Sequence, residues 1–265
     1  MTISAKDRRL VTMVWLLSIL LLWEVVAGLS RIFSTDQMIE VKLPYPHHVF
    51  VTFVNNFMDL TEAGLVTLSR AGMGFALGAF IGIALAILMS FSKMVEKVAF
   101  PYLIVSQMIP VLGLAPIIFN IVRDMNLSRI IIAAYITFFP VSVNMLSGLK
   151  SVEEDKKDLL AMAAASRYAI YRKLMIPYSM TYLFTGLKIA APMAVTASIL
   201  VDMLGSKSGI GVKILYSLYS NRTDIFWASV MTSAVMGIMS YYLIILVEYL
   251  MMPWNRNGSA QGGGK

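Results

Sequence analysis

The chain of 265 residues is 58% hydrophobic and only 14% charged, where a water-soluble domain carries roughly 25% charged residues. That balance excludes an ordinary soluble enzyme: a chain of this length cannot bury nearly everything it owns in one core, and lipid is the solvent that removes the problem. Cysteine is absent, which excludes disulfides and thiolate metal sites, and the net charge of +7 is scattered in short clusters between apolar runs rather than gathered in a nucleic-acid-binding domain.

A stub at 1–10 carries Lys6, Arg8 and Arg9 and precedes a first apolar run at about 11–33. Its core exceeds the ~7–15 residues of a signal peptide and no A-x-A site follows, so it reads as a retained span. A bilayer core of ~30 Å needs about 20 apolar residues in helix. Five further runs reach that length, at about 64–91, 98–122, 128–149, 179–203 and 224–250. The expectation is one all-α integral membrane domain of six transmembrane helices over 11–250, with its core at about 60–250. Connecting segments fall at 34–63, 150–178 and 204–223, and a tail at 251–265 ends in GSAQGGGK, a flexible linker composition. Lys and Arg concentrate in the stub, around 93–97 and in 150–178, which favours both termini in the cytoplasm.

Glu24 lies in the first run, and Arg70, Lys188 and Asp202 lie in later ones. Intramembrane charge is costly and marks function or pairing. Arg70 and Asp202 are expected near the outer surface as structural pairs helped by snorkelling. The second span spaces Gly74, Gly78, Gly82 and Ala86 four apart, placing them on one helix face for close packing. His47 and His48 are adjacent, are expected to point apart, and make a poor metal site. Pro101, Pro110 and Pro116 in the third span either bend it or break it to line a pathway. Gln107, Met108, Asn120, Thr196 and Ser198 are polar or soft groups in spans three and five, candidates for solute contact or for interhelical hydrogen bonds. Lys188 either draws an anionic solute into a pathway or snorkels to inner headgroups.

The segment DLLAMAAASRYAIYRKLMIP, 158–177, is neither apolar enough to span nor broken enough to be a loop. Its composition favours helix. Ser166 is a candidate N-cap that divides it into two short helices, the second closed by Pro177. Leu159, Met162, Ala163 and Ile170 are expected on one apolar face flanked by Arg167, Arg172 and Lys173, which suits a groove on a partner or a membrane interface. No G-x-x-x-x-G-K-[ST] or H-E-x-x-H motif occurs.

This stretch is similar to the cytoplasmic loop of binding-protein-dependent ABC importer permeases, whose signature is E-A-A, three residues, Gly, nine residues, I-x-L-P. Asp158 stands at the Glu position, Leu159 and Leu160 at the Ala positions, Ala164 at the Gly position, and Leu174, Ile176 and Pro177 at I-x-L-P. Ala at the Gly position suggests that no positive φ is needed there, and Asp158 keeps a carboxylate that suits helix N-terminal amides. The likeness extends along the chain to the nitrate, sulfonate, taurine and bicarbonate subfamily. Leu43, Pro44 and Pro46 match its L-P-S-P, Arg70 precedes Gly74, Phe75 and Ala76, and Ile109, Pro110, Leu112 and Pro116 match I-P-x-L-x-x-x-P. Gly186, Leu187 and Lys188 match G-L-[RK], and Asp202, Leu204, Gly205, Gly209, Ile210 and Gly211 match E-L-L-G-x-x-x-G-[LI]-G. Val122 and Arg123 depart from an aromatic followed by Gly.

The resemblance implies a type I ABC importer permease fold with cytoplasmic coupling helices between spans four and five, in a bacterial inner membrane. It implies two ATP-binding subunits that hold ATP and Mg, no cofactor or catalytic residue in this chain, a second and identical permease copy, an extracytoplasmic solute-binding protein, and no nucleic acid. Asp158, Leu159, Leu160, Ala164, Ala165, Ser166, Arg167, Tyr168 and Pro177 are then the ATPase-coupling positions. The solute would be nitrate, a sulfonate or taurine, bicarbonate or a small aromatic or heterocyclic compound. A secondary transporter is the alternative, but it usually shows inverted repeats, and none relates the two halves. An intramembrane enzyme would need a convergent nucleophile and base, which is not visible.

Overall fold

The structure is a computed structural model that describes residues 5–33 and 43–253. Residues 1–4, 34–42 and 254–265, the Gly-rich tail among them, lie outside the described residues, as do the side chains of Lys6, Arg8 and Arg9. The described elements are all helical: α1 (Ala5–Phe33), α2 (Pro46–Asn55), α3 (Phe57–Phe91), α4 (Lys93–Met108), α5 (Val111–Val122), α6 (Met125–Lys150), α7 (Glu154–Met162), α8 (Arg167–Ile170), a π-helical turn (Tyr171–Met175), α9 (Ile176–Met203), α10 (Ile210–Tyr219) and α11 (Thr223–Met251). Five helical runs are long and apolar enough to cross a membrane: Leu10–Phe33, α3, α6, Arg167–Met203 and α11. α4 and α5 together supply a sixth candidate, bent by 97° at its break. The expected connecting segments at 34–63 and 204–223 contain α2 and α10.

α6 is the central helix, held between α3 and α9 by small residues. A Cβ on Gly74 would stand 2.8 Å from the Ile130 carbonyl oxygen, one on Gly78 2.6 Å from that of Ala134, and one on Gly82 2.5 Å from that of Phe138. Ala86 continues the stripe and is fully buried. On the other side, a Cβ on Gly186 would stand 2.8 Å from the Pro140 carbonyl oxygen. Backbones this close gain dispersion contacts that lipid tails do not supply. α1 has little of this packing and is exposed along most of its length.

The third expected span is broken rather than bent. Pro110 has no N–H for the carbonyl of Ser106, four residues back, and the chain turns away at Ile109 (φ −76°, ψ 120°). The Tyr135 hydroxyl of α6 donates to that freed Ser106 carbonyl, the neighbour's compensation that a membrane interior requires. Pro101 and Pro116 sit inside α4 and α5 without interrupting either. α5 then stops at Arg123, whose φ of 56° is left-handed, and the Asp124 carboxylate caps α6 by accepting from the Leu127 N–H at 2.7 Å.

Candidate functional site

Two arrangements stand out at opposite ends of α9, about 40 Å apart at 1.5 Å per residue. The first is the elbow formed by α7 and α8. α7 buries no side chain. Its first turn carries Glu154 and Asp155, and Lys156 and Lys157 pair with Glu153 and Glu154 at 3.2 and 3.0 Å. Asp158, expected near N-terminal amides, stands instead one turn further in. Leu159, Met162 and Tyr168 are 69, 87 and 70% exposed, far more than a satisfied apolar ridge would be.

α7 ends in a Schellman motif. The Ala165 N–H reaches back to the Leu160 carbonyl at 3.0 Å, the Ala164 N–H to that of Ala161 at 2.9 Å, and Ala164 sits at φ 57°. The absence of glycine at 164 suggested that no left-handed residue was needed. The backbone adopts one nevertheless, because two end-of-helix carbonyls find donors only in that geometry. The break also puts Ile170 on a separate helix from Leu159 and Met162.

Ser166 caps α8 as expected, its Oγ accepting from the Ala169 N–H at 3.2 Å. Pro177 does not close this helix. α8 runs through the π-helical turn directly into α9, whose second residue is Pro177. Tyr171, given no role by the sequence beyond a place in the second short helix, sets its hydroxyl 2.8 Å from Ser90 Oγ and stacks its ring on Phe91 at 5.1 Å between centroids.

The second arrangement is a buried ionic knot at the far end of α9. Asp202 is 1% exposed, so the expected snorkelling does not occur. Its Oδ2 accepts from Thr67 Oγ1 at 2.5 Å, while Oδ1 lies 3.3 Å from Arg129 Nε and 3.9 Å from an Arg70 guanidinium nitrogen. Arg70 also donates to the Ser208 carbonyl and hydroxyl, both at 3.2 Å. Thr67 Oγ1 accepts from the Ile210 N–H at 2.9 Å, so α3, α6, α9 and the start of α10 meet at one carboxylate. Gly209, at φ 125°, lies against the carboxylate where a Cβ would overlap it and Thr67 Oγ1. A Cβ on Gly211 would likewise stand 2.7 Å from Asp202 Cβ, which is the structural reason for glycine at 209 and 211 after Asp202. Arg129, second residue of the apolar run at 128–149, is 2% exposed. Its position inside an apolar run was the available signal.

The candidate solute-contacting residues divide. Gln107 and Met108 flank the break of α4, where the Gln107 Nε2 is buried without a hydrogen-bond partner among the described residues and Met108 is exposed. Asn120 is exposed on α5. Thr196 is exposed but donates to the Pro192 carbonyl at 3.1 Å. Ser198 is fully buried and donates to the Thr67 carbonyl at 3.2 Å, an interhelical bond rather than a surface open to solute. Lys188 Nζ lies 2.9 Å from a Glu248 carboxylate oxygen of α11, so it neither snorkels nor offers a free cation. Glu24 pairs with His47 Nδ1 at 2.6 Å. The His47 and His48 rings meet edge to face at 4.4 Å rather than pointing apart, and no group of three or more His, Cys, Asp or Glu among the described residues is arranged to hold a metal.

Several apolar spans around a broken one, with intramembrane charges set against opposite charges on neighbouring helices, define a multi-pass helical membrane protein. The sequence profile of the family described as binding-protein-dependent transport system inner membrane component matches residues 78–255, and the chain belongs to that family, the permeases of ABC importers. Among its relatives, the formylaminopyrimidine transport permease protein ThiX of Halalkalibacterium halodurans is 28% identical over 91% of this chain and 94% of its own. The putative aliphatic sulfonates transport permease protein SsuC of Bacillus subtilis is 25% identical over 90% of this chain and 85% of its own. A solved structure described as an amino acid ABC transporter with histidines superposes with a TM-score of 0.63 at 17% identity, covering 76% of this chain and 97% of that one, a likeness of fold.

Proposed function

We propose that this chain pairs with a second, identical copy to form the alternating-access pathway of an ATP-driven importer, both termini in the cytoplasm. Its elbow docks on a separate ATP-hydrolysing subunit, and a binding protein outside the cytoplasm delivers the solute. The observation that carries this reading is the elbow: a helix with no buried side chain, exposed Leu159, Met162 and Tyr168, and Arg167, Arg172 and Lys173 alongside. Such a surface suits a groove in a partner. The Schellman motif and the Ser166 cap fix the joint between α7 and α8, and from α8 helical backbone continues through the π-helical turn into α9, so displacement of the elbow is carried into that span. Purifying the tagged chain from its native membrane tests the reading. A nucleotide-binding subunit co-isolating in equal amount supports it, and transport on an ion gradient without one contradicts it.

For the solute, the pairing of Lys188 with Glu248 favours a compound without net negative charge, since the lysine that the sequence offered for attracting an anion already has a carboxylate partner. A neutral heterocycle, as the name of the formylaminopyrimidine permease indicates for that relative, fits better than nitrate or bicarbonate. The cognate binding protein should show a raised melting temperature with such a heterocycle and none with nitrate. The opposite pattern refutes this choice.

A further inference from the structure

α4 is loosely held: of its sixteen residues Leu103 alone is buried. Its far end leads to the bend at Pro110, so movement of α4 is movement of the broken span. Two links tie its near end to the elbow. Lys150, the last residue of α6, pairs with Glu96 in the first turn of α4. Tyr171 bonds Ser90 at 2.8 Å and stacks on Phe91, the two residues before Ser92. Ser92 is the extended residue that separates α3 from α4 and caps α4 through the Met94 and Val95 amides. Tyr171 therefore rests on the joint from which α4 starts.

Tyr171 also opens the π-helical turn. Such turns are rare, occur as single-turn bulges inside α-helices and recur at functional sites. One extra residue rotates every side chain on the elbow side by about 100° relative to α9. That rotation aims Tyr171 at the end of α3 while Gly186 keeps its place against α6. The Tyr171 contact joins elements 81 residues apart in sequence, with one hydroxyl on each side and a ring stack behind it.

We propose that Tyr171 is a positioning residue for transport, a strut set against Ser90 and Phe91 that carries displacement of the elbow into α4 and so to the break at Pro110. The inference rests on the elbow being the ATPase-docking element. The chain contains no cysteine, so single-cysteine reporters are clean. Asp155→Cys on α7 and Tyr102→Cys on the exposed side of α4 each carry an environment-sensitive fluorophore, in the complex with its ATPase trapped by ATP and vanadate. In the parent both reporters respond. Tyr171→Ala keeps the α7 response and lowers the α4 response by about fivefold, in line with the coupling that single network residues carry. Tyr171→Phe and Ser90→Ala each remove one hydroxyl from the same contact, give a smaller loss of the same kind, and carry the test where Tyr171→Ala lowers the yield. A full α4 response in all three variants overturns the strut. A silent α7 reporter in the parent complex overturns the docking reading on which it rests.

Discussion

Thr67 Oγ1 lies 2.5 Å from a carboxylate oxygen of Asp202, 135 residues later in the chain. The threonine simultaneously accepts from the Ile210 N–H, and the other oxygen of the aspartate faces Arg129 and Arg70. One carboxylate thus holds three long helices and the turn into α10 together where lipid offers no competing hydrogen bonds.

Breaking this knot on one side leaves an uncompensated buried charge. Asp202→Asn should cost about 3–5 kcal/mol, read as a large drop in melting temperature of the detergent-purified protein. The apolar double variant Asp202→Leu with Arg129→Met should recover much of that loss, since it removes both desolvated charges. Equal instability of the single and double variants would show that shape, not charge, holds the knot.

Ala164 and Arg123 both take left-handed backbone, at φ 57° and 56°. That conformation costs a side-chain-bearing residue about 1–2 kcal/mol, while glycine there gives back part of the gain through the unfolded chain. Ala164→Gly and Arg123→Gly should each stabilise the protein, by about 0.5 kcal/mol, measurable as a higher unfolding midpoint. A destabilised Ala164→Gly would contradict the Schellman geometry at the end of α7.

Tyr135→Phe removes the only hydroxyl that the described residues offer to the Ser106 carbonyl freed by Pro110. An orphaned, partly buried carbonyl costs up to about 1 kcal/mol, the net worth of a typical hydrogen bond. The loss should show both as lower thermal stability and as faster labelling of a cysteine placed at Met108, beside the break.

The spans were legible in the sequence because a bilayer imposes length and apolarity on each one separately, and helices run close to 64–91, 128–149, 179–203 and 224–250. The four-residue glycine spacing on α3 was equally local information, and so was the Ser166 cap. The knot was not legible in full. Arg129 stands at the start of an apolar run, and only the fold brings it to Asp202. Lys188 likewise looked like a free cation because its partner Glu248 lies on another helix, 60 residues away. At Ala164 the residue type pointed the wrong way: the need to satisfy helix-end carbonyls overrode the preference of alanine. Pro177 was taken as a stop, yet the π-helical turn before it carries the helix on into α9.

If Lys188 and Glu248 serve only to neutralise one another, Lys188→Met with Glu248→Met should retain transport in cells while Lys188→Met alone loses expression. A double-mutant cycle in melting experiments should return a coupling of roughly 1 kcal/mol, the scale of interhelical polar contacts in membranes. Transport lost in the well-expressed double variant would instead assign Lys188 a direct part in handling the solute.

The most direct test is a crosslink from the elbow. With Met162→Cys as the sole cysteine of the chain, a short thiol-to-amine reagent applied to native membranes should yield one dominant adduct, with a nucleotide-binding subunit, and its formation should change when ATP and vanadate are added. Labelling of lipid or of no protein at all, with solute uptake undiminished, would contradict the role of the elbow as the ATPase contact.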